Sequence, residues 1–351
     1  MSPKSEAPGR AWLPLLLADP SPCLRWLVLR ELMDRPDKDQ EVNELAALRL
    51  SDSLVTDLLG QQKPDGSWPQ GGSGSTGSSI QRTAQALMRL GYLGFGPDLP
   101  AVARGAEYLF SVQQVNGAWP LAPEGSDSSR YQQYDRVPLQ TALPLRGLAA
   151  CGYAADARAE QSYEWLLSTR LDDGAWPTGF VSGNYGYVAG YRRLAHSRWG
   201  CRSNTTGTLV CLALHPERRH GAEAIRGLDL LLGRETSERQ ALGHDLIRTL
   251  GFEPARGFFT YYGPFDLALL LFLCRQIGAS TDDERIARAL SVVLENQGEY
   301  GLWHHVDRPA ASRWLTFDLL CNLSGLDLSQ EWVSLEPRTP FSPYPARDRR
   351  F

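Results

Sequence analysis

The 351-residue sequence lacks long apolar runs, a signal-peptide core and an excess of positive charge. Its longest apolar runs, at 13–18 and 267–274, are far shorter than the ~20 residues that span a bilayer. The first ten residues carry charges instead of the apolar stretch of a signal peptide. The net charge of -4 gives no basic footprint for nucleic acid. We therefore expect a cytoplasmic protein with no transmembrane segment and no nucleic-acid partner.

Several catalytic and metal-binding motifs are also missing. The six cysteines are scattered and form no Cys-x-x-Cys pair, and four of them lie in apolar runs. This pattern predicts small buried thiols and not disulfides or metal ligands. The sequence contains no Gly-x-x-x-x-Gly-Lys-Ser/Thr, Gly-x-Ser-x-Gly or His-Glu-x-x-His. These absences exclude P-loop nucleotide hydrolysis, the common hydrolase elbow and a zincin-type protease.

What the sequence does contain is a repeat, Gln-x-x-x-Gly-x-Trp. Its four copies end at Trp68, Trp119, Trp176 and Trp303, and Arg170 replaces the glutamine in the third copy. The first two intervals are 51 and 57 residues, and the last is 127 residues, or about two periods of 63. One copy has therefore been lost between the third and the fourth. A repeat of this length predicts a stacked or closed array of similar units.

Two sets of helices alternate along these repeats. Helices that lead into the tryptophan turns are amphipathic, which is typical of a solvent-facing layer, and are expected at about 98–113, 155–170, 218–234 and 282–296. Helices that follow the turns are apolar on nearly every side, which indicates burial, and are expected at about 79–91, 137–151, 203–214, 264–277 and 312–324. No segment shows strand alternation. The sequence therefore predicts an all-α fold, an α/α toroid of five to six helical hairpins in two concentric layers.

The domain organisation follows from the extent of the repeats. We expect a loosely structured N-terminal leader at 1–18, a single toroid domain at 19–328 and a C-terminal tail at 329–351. Near the start of the domain, one long helix is predicted at about 40–60. The connections from outer to inner helices are long and must all emerge on one rim. Functional residues collect on loops that a rigid scaffold holds, so we place the site at that rim and in the space beneath it.

The repeats resemble the QW motifs of squalene and oxidosqualene cyclases and the matching repeats of protein prenyltransferase β subunits. The fuller motif can be followed through Arg104, Gly105, Tyr108, Gln113 and Trp119. The likeness covers about residues 40–325. In physical terms, the glycine permits a tight turn, the tryptophan packs across helix ends and the glutamine satisfies terminal backbone groups. These residues are therefore predicted to be structural and not catalytic.

The catalytic motifs of the resembling families do not transfer to this sequence. Cyclases of the squalene-hopene type protonate an alkene with an Asp-x-Asp-Asp motif, but the corresponding segment at 201–206 has no carboxylate. Without a strong, desolvated carboxylic acid the initiating proton has no donor, so protonation-initiated cyclisation is disfavoured. Prenyltransferases hold zinc with Asp, Cys and His, yet the family's histidine position falls on Asp318 and the Asp-x-Cys pair is absent near Asp266. Ligand spacing supports neither zinc nor magnesium, so no metal site and no cofactor are predicted.

Three aspartates are candidate catalytic residues. Asp135 precedes Pro138 and Asp266 follows Pro264, so each is also a candidate helix cap. Asp318 lies in the middle of an apolar inner helix, where a buried carboxylate needs a partner such as Arg313 or a cation from another helix. Asp318 is therefore the first choice for a chemically active acid.

The rim is rich in arginine and aromatic residues that suit an anionic head above an apolar cavity. The predicted substrate-binding residues are Arg198, Arg202, Arg313, Tyr134, Tyr261, Tyr262, Trp199, Trp314 and His304. The leading hypothesis is a terpene cyclase- or prenyltransferase-like protein that acts on or binds an isoprenoid or its diphosphate, or another lipid-like small molecule. One alternative is a non-catalytic toroid that binds a lipid or a protein. The other is a polysaccharide lyase or glycosidase, which would need an open polar groove.

The lost copy of the repeat is the remaining feature of interest. Residues 235–257 replace a stiff turn with a polar loop that contains His244, Asp245 and Arg248. We expect this loop to carry what distinguishes the protein from other members of the fold.

Overall fold

The inner layer of the fold is a ring of apolar helices. The computed structural model describes residues 11–69, 79–120, 136–181, 183–185, 194, 197–233, 240–253, 265–324 and 326. The ring consists of α2 (Pro22–Leu27, continued by a π-helical turn at Val28–Leu32), α5 (Ser79–Tyr92), α7 (Pro138–Ala150), α9 (Arg202–Leu214), α12 (Leu267–Ile277) and α14 (Ser312–Ser324). From α5 onwards, each helix packs on the next, and α14 packs on the π-helical turn. Tyr92 of α5 meets Trp314 of α14 at 6.2 Å between ring centroids, which brings the two ends of the series together.

A second set of helices surrounds this ring. It consists of α3 (Gln40–Leu48), α4 (Ser53–Leu59), α6 (Pro100–Ser111), α8 (Ala157–Ser168), α10 (Ala222–Leu232) and α13 (Glu284–Glu295). Burial separates the two layers: α13 buries only Ile286 and Val293, whereas α9 leaves only Thr206 and Leu214 partly exposed. The predicted α/α toroid is confirmed. From residue 79 onwards, the predicted helix ranges also agree with the observed ones to within about four residues.

The remaining elements are short. They are α1 (Trp12–Leu17), α11 (His244–Thr249), 3-10 turns at Arg49–Ser51, Arg218–His220, Glu299–Gly301 and Pro309–Ala311, and four two-residue strands. Strands β1 (Phe180–Val181) and β2 (Asn184–Tyr185) pair antiparallel, and β3 (Gln240–Ala241) pairs parallel with β4 (Phe265–Asp266). Within the described ranges, no helix is long and apolar enough to cross a membrane.

Two N-terminal predictions differ from the structure. Residues 12–17 form α1, whose Trp12 and Leu16 are buried in the main core, so this part of the expected leader is a packed helix. The single helix expected at 40–60 is divided into α3 and α4. Asp52 interrupts it in an extended conformation and accepts the backbone N–H of Leu54, which caps α4. The same carboxylate accepts the N–H of Cys23, so the break also ties α4 to α2.

The four tryptophan turns share one set of hydrogen bonds. Each indole N–H donates to a carbonyl ten residues earlier, at 2.7–2.9 Å, in the pairs Trp68–Leu58, Trp119–Leu109, Trp176–Leu166 and Trp303–Val293. Each tryptophan backbone N–H donates to a threonine hydroxyl of the next inner helix, namely that of Thr83, Thr141, Thr205 or Thr316. The turn glycines have φ of +76° to +94°, which only glycine adopts readily. These residues therefore have the structural roles predicted for them.

The threonine bonds can be tested within one helix. We expect Thr205→Val to lower the free energy of unfolding by about 1–3 kcal/mol, because the Trp176 N–H would be left buried without this acceptor. The matched control is Thr208→Val in the same helix. Thr208 is equally buried, but its hydroxyl has no partner among the described residues, so its removal should cost no stability. Urea unfolding measures both, and equal losses would contradict the assigned role.

All six cysteines are buried and free. Cys211 illustrates the reason, since it lies fully buried in α9 with its thiol against the Ala142 carbonyl. Burial raises the pKa of this thiol to about 12, so it stays neutral. The prediction of buried thiols in a helical core is confirmed.

Candidate active site

A cavity of about 240 Å³ lies inside the inner ring. Its walls come from α5, α7, α9, α12 and α14, and α11 adds a further wall. Most of the lining is apolar, with Met88, Val210, Leu246, Leu269 and Phe272 as examples. The polar lining consists of Tyr92, Arg146, Asp245, Thr249, Asp266 and Asp318. Three carboxyl groups therefore meet in a mostly apolar space.

The first carboxyl group, that of Asp245, comes from the segment between α10 and α12. Strand β3 pairs with β4, and Gly243 then turns the chain into α11 with φ of +82°. A side chain at this position would meet Leu315 at 2.8 Å, so both the conformation and the close packing require glycine. At the other end of α11, Arg89 of α5 donates to the Thr249 carbonyl at 3.3 Å. These contacts hold α11, with Asp245 in its first turn, against the cavity.

An ion pair fixes Asp245. Arg146 of α7 donates to both oxygens of its carboxylate, at 3.1 and 2.6 Å. The two side chains are only 13% and 12% exposed. Arg146 is the only cation among the described residues that line the cavity. The positive charge of Arg146 is thus already paired with the Asp245 carboxylate.

Asp266 is held by backbone groups. It caps α12 by accepting the N–H of Ala268 at 3.1 Å, and it also accepts the N–H groups of Gly243 at 2.9 Å and Asp245 at 2.7 Å. Burial raises the pKa of Asp266 to about 6, while these three donors oppose that rise by favouring the ionised form. The capping interpretation is confirmed. The cap also ties the segment with α11 to the inner ring.

Asp318 is the least constrained of the three carboxyl groups. It lies in the middle of α14, and its one hydrogen bond among the described residues comes from Asn322 at a long 3.4 Å. Burial raises the pKa of Asp318 to about 7, and the charges of Asp266 and Asp245 add to the rise. The positive charge of Arg275 and the nearby Tyr92 hydroxyl oppose the rise. Near neutral pH, Asp318 is therefore a carboxylic acid ready to lose its proton.

The missing Asp-x-Asp-Asp motif left no single segment that supplies an acid. In the structure, the Asp318 carboxyl group from α14 lines the cavity beside those of Asp266 and Asp245, so three carboxyl groups from separate segments meet here.

The other predicted site residues that the structure describes do not line the cavity. Arg313 pairs with Asp19 at 3.1 Å and not with Asp318, so that suggested pairing was wrong. Arg202 is buried at the first turn of α9. Arg198 lies over the ring of Trp199 at 5.2 Å, away from the lining residues, and His304 is exposed.

Trp314 is nearest to the site, since it packs against Tyr92. Asp135, Tyr134, Tyr261 and Tyr262 lie outside the described residues. In the ranges that the structure describes, no group of three or more His, Cys, Asp and Glu side chains is arranged to hold a metal ion.

Sequence reasoning missed three polar residues of this site: Tyr92, Arg146 and Thr249. Arg146 carries a signal similar to the one that singled out Asp318, a charged side chain in the middle of an apolar inner helix. Tyr92 and Thr249 carry no such signal, because a hydroxyl group near a helix end is common on any surface.

Comparisons with known proteins bear on the family. Residues 33–191 match the squalene-hopene cyclase C-terminal domain. A squalene–hopene cyclase from Bradyrhizobium diazoefficiens is 29% identical over 172 residues, which is 44% of this chain and 25% of that enzyme. A lanosterol synthase from Aspergillus fumigatus is 28% identical over 155 residues, or 43% of this chain and 20% of that enzyme.

The chain is similar to squalene cyclases over a little under half of its length. It corresponds to only a quarter or less of the length of these two relatives. The matched domain region includes Tyr92 and Arg146, whereas Asp245, Asp266 and Asp318 lie beyond it.

Solved structures are also similar, among them a crystal structure of a protein from Actinoplanes, which aligns over 87% of this chain and 90% of that chain with 15% identity and a TM-score of 0.41. A type II terpene cyclase from Scytonema, in complex with the substrate geranylgeranyl dihydroxybenzoate, aligns over 77% of this chain and 94% of that chain. The identity is 16% and the TM-score is 0.33, which is too low for the likeness to carry an argument.

Proposed function

We propose that this squalene cyclase-like protein is a terpene cyclase-like enzyme that protonates an alkene of an isoprenoid bound in the cavity. The observation that carries the proposal is Asp318, a carboxyl group at the wall of an apolar cavity whose pKa is raised to about 7. Such a group is protonated over a useful pH range and gives up its proton without a metal. The family relationship supports the same class of chemistry.

The proposed reaction needs no second substrate. The O–H bond of Asp318 breaks as a C–H bond forms at one alkene carbon, which leaves a tertiary carbocation at the other. A second alkene of the same chain attacks this cation and closes a ring. The resulting cation then loses a proton from a neighbouring carbon, and Asp318 regains a proton. The overall change is an isomerisation.

The cavity lining suits a positive intermediate. Asp266 and the ion-paired Asp245 place negative charge beside the space that the substrate would occupy. The aromatic rings of Tyr92 and Phe272 also line this space, and aromatic faces attract cations by about 0.5–2 kcal/mol. Fixed charges and dipoles in a dry site stabilise developing charge more than they would in water.

The size of the cavity indicates a small substrate. An apolar cavity of about 150 Å³ holds one benzene molecule. On that scale, 240 Å³ suits a molecule of about ten carbons, or two isoprene units, and not the thirty carbons of squalene. The mostly apolar lining also supports an isoprenoid over the polysaccharide that a lyase or glycosidase would take.

The proposal predicts a specific pH dependence. Only protonated Asp318 can act, so the turnover rate should be constant below about pH 6 and fall tenfold for each pH unit well above 7. The experiment incubates purified protein with C10, C15 and C30 isoprenoids without added metal and measures products by gas chromatography. Product formation from a C10 substrate with this profile would support the proposal. Absence of product from every isoprenoid, or a rate that rises with pH through 7, would refute it.

A further inference from the structure

The cavity lies close to one rim of the inner ring. At the other rim, each tryptophan turn bonds a threonine in the first two turns of the next inner helix, so the turns and the long connections lie where the inner helices begin. Three inner helices instead contribute their last residues to the cavity: Tyr92 ends α5, Ala150 ends α7 and Leu214 ends α9. The ends of α5 and α7 lie side by side, because a side chain on Gly91 would meet the Ala150 carbonyl oxygen at 2.5 Å. The cavity therefore reaches the rim where the connections are short.

The exposure of the lining changes in the same direction. The lining residues at these helix ends are all partly exposed, namely Gly91, Tyr92, Ala150 and Leu214. The lining residues contributed by α11, β4 and the first turn of α12 include four buried ones, namely Leu246, Thr249, Asp266 and Ala268. The wall is thus more accessible at the helix ends than beside α11.

The segment that contains α11 fills the ring on the other side of the cavity. It begins at Gly243, packed against Leu315 in the first turn of α14, and it ends at Thr249, whose carbonyl accepts a hydrogen bond from Arg89 near the end of α5. The helix therefore runs from the rim of the tryptophan turns into the ring. Its Ile247 side chain is only 1% exposed, so this part of the ring is tightly packed.

We propose that ligands enter and leave the cavity at the rim where the inner helices end, through an opening bordered by Tyr92, Ala150 and Leu214, and that α11 closes the opposite rim. The border is mostly apolar, which suits the passage of an apolar ligand. The sequence analysis expected the site at the rim with the long connections, so the proposed entrance is at the other end of the ring. The inference concerns access to the cavity and goes beyond the proposed function, because it requires no particular reaction.

The access of a small thiol reagent to the inside of the cavity tests this proposal. The reporters are Met88→Cys and Val210→Cys, which place a thiol on lining residues that are only 2% and 1% exposed. All six native cysteines are buried, and none belongs to the described lining of the cavity, so the wild type gives the background. Mass spectrometry follows the rate of reaction with methyl methanethiosulfonate at a fixed pH.

Each reporter is then combined with a larger side chain at one rim. Leu214→Trp fills the proposed entrance, and Ala150→Phe fills it from a second helix. The matched control is Val306→Trp, which adds bulk at the opposite rim, where Val306 is 93% exposed ahead of α14. Circular dichroism and the Tm of each variant establish that it is folded.

We expect both reporters to react faster than the native thiols. Leu214→Trp and Ala150→Phe should slow the reporters by about tenfold or more, because the reagent would then need a local opening of the fold to reach the cavity. Val306→Trp should leave the rates unchanged.

Three results would overturn the inference: no slowing by either substitution at the proposed entrance, equal slowing by Val306→Trp, or reporters that are as unreactive as the native thiols. None of these measurements uses an isoprenoid. Absence of product from every isoprenoid would therefore refute the proposed function and leave the entrance in place, so the two failures are distinguishable.

Discussion

Asp318→Asn is expected to lower turnover of an isoprenoid substrate by about 10²- to 10⁴-fold, the usual contribution of a general acid. Asparagine keeps the shape of the side chain but cannot supply the proton that starts the reaction. The comparison is made by steady-state product formation at pH 6, where Asp318 of the wild type is mostly protonated.

The fold should survive this substitution. Burial and the charges of Asp266 and Asp245 make the ionised form of Asp318 unfavourable in the folded state, which is why its pKa is raised. The native state therefore loses stability relative to the unfolded chain as pH rises from about 4 through 7, and asparagine removes that loss. Asp318→Asn should accordingly match or exceed the wild-type Tm at pH 8. The exposed Asp307→Asn serves as the control for turnover. Wild-type turnover in Asp318→Asn would remove this residue from the mechanism.

Arg146→Met is expected to lower the free energy of unfolding by about 3–5 kcal/mol, because it leaves the Asp245 carboxylate buried without its partner. This loss of stability measures the cost of leaving a buried charge unpaired and not the net stabilisation that the ion pair provides. The double substitution Arg146→Met with Asp245→Leu should therefore recover most of the stability. Urea unfolding of the two single variants and the double variant gives the coupling between the residues.

Arg30→Met provides the comparison at the surface. Arg30 pairs with Asp37 at 3.0 Å, but Asp37 is 87% exposed, so the change should cost less than about 1 kcal/mol. If Arg146→Met were as mild as Arg30→Met, or if the double variant were less stable than both single variants, the role of the ion pair in holding α11 would be wrong.

The scaffold was predictable because its signals are local and repeated. Each tryptophan turn contains the glycine and the tryptophan of the repeat, and three of the four also contain the glutamine, whose side-chain amide donates to the carbonyl of the turn glycine. A short segment of sequence therefore predicts the structure of its own turn. The break at Asp52 escaped prediction because its cause is partly remote: the carboxylate that caps α4 also bonds the backbone of Cys23.

The site was predictable only in part, since its residues come from distant segments. Asp318 stood out as a lone carboxylate in an apolar helix. Arg146 and Asp245 are 99 residues apart, and no spacing rule connects them. Their meeting depends on the segment that contains α11, which the sequence marked as distinctive without indicating where it packs. The rim arginines were the least informative signal, because an arginine side chain finds other partners, as Arg313 does with Asp19.

The origin of the hydrogen that is added to the substrate carbon tests the central claim most directly. Turnover of a C10 isoprenoid in D₂O should place a single deuterium from solvent on a carbon of the cyclised product, because the exchangeable proton of Asp318 becomes a C–H bond. Mass spectrometry and deuterium NMR of the product locate that label. The account predicts one carbon-bound deuterium in the wild-type product and no labelled product from Asp318→Asn. A cyclised product without deuterium would show that the reaction starts in another way and would contradict the account.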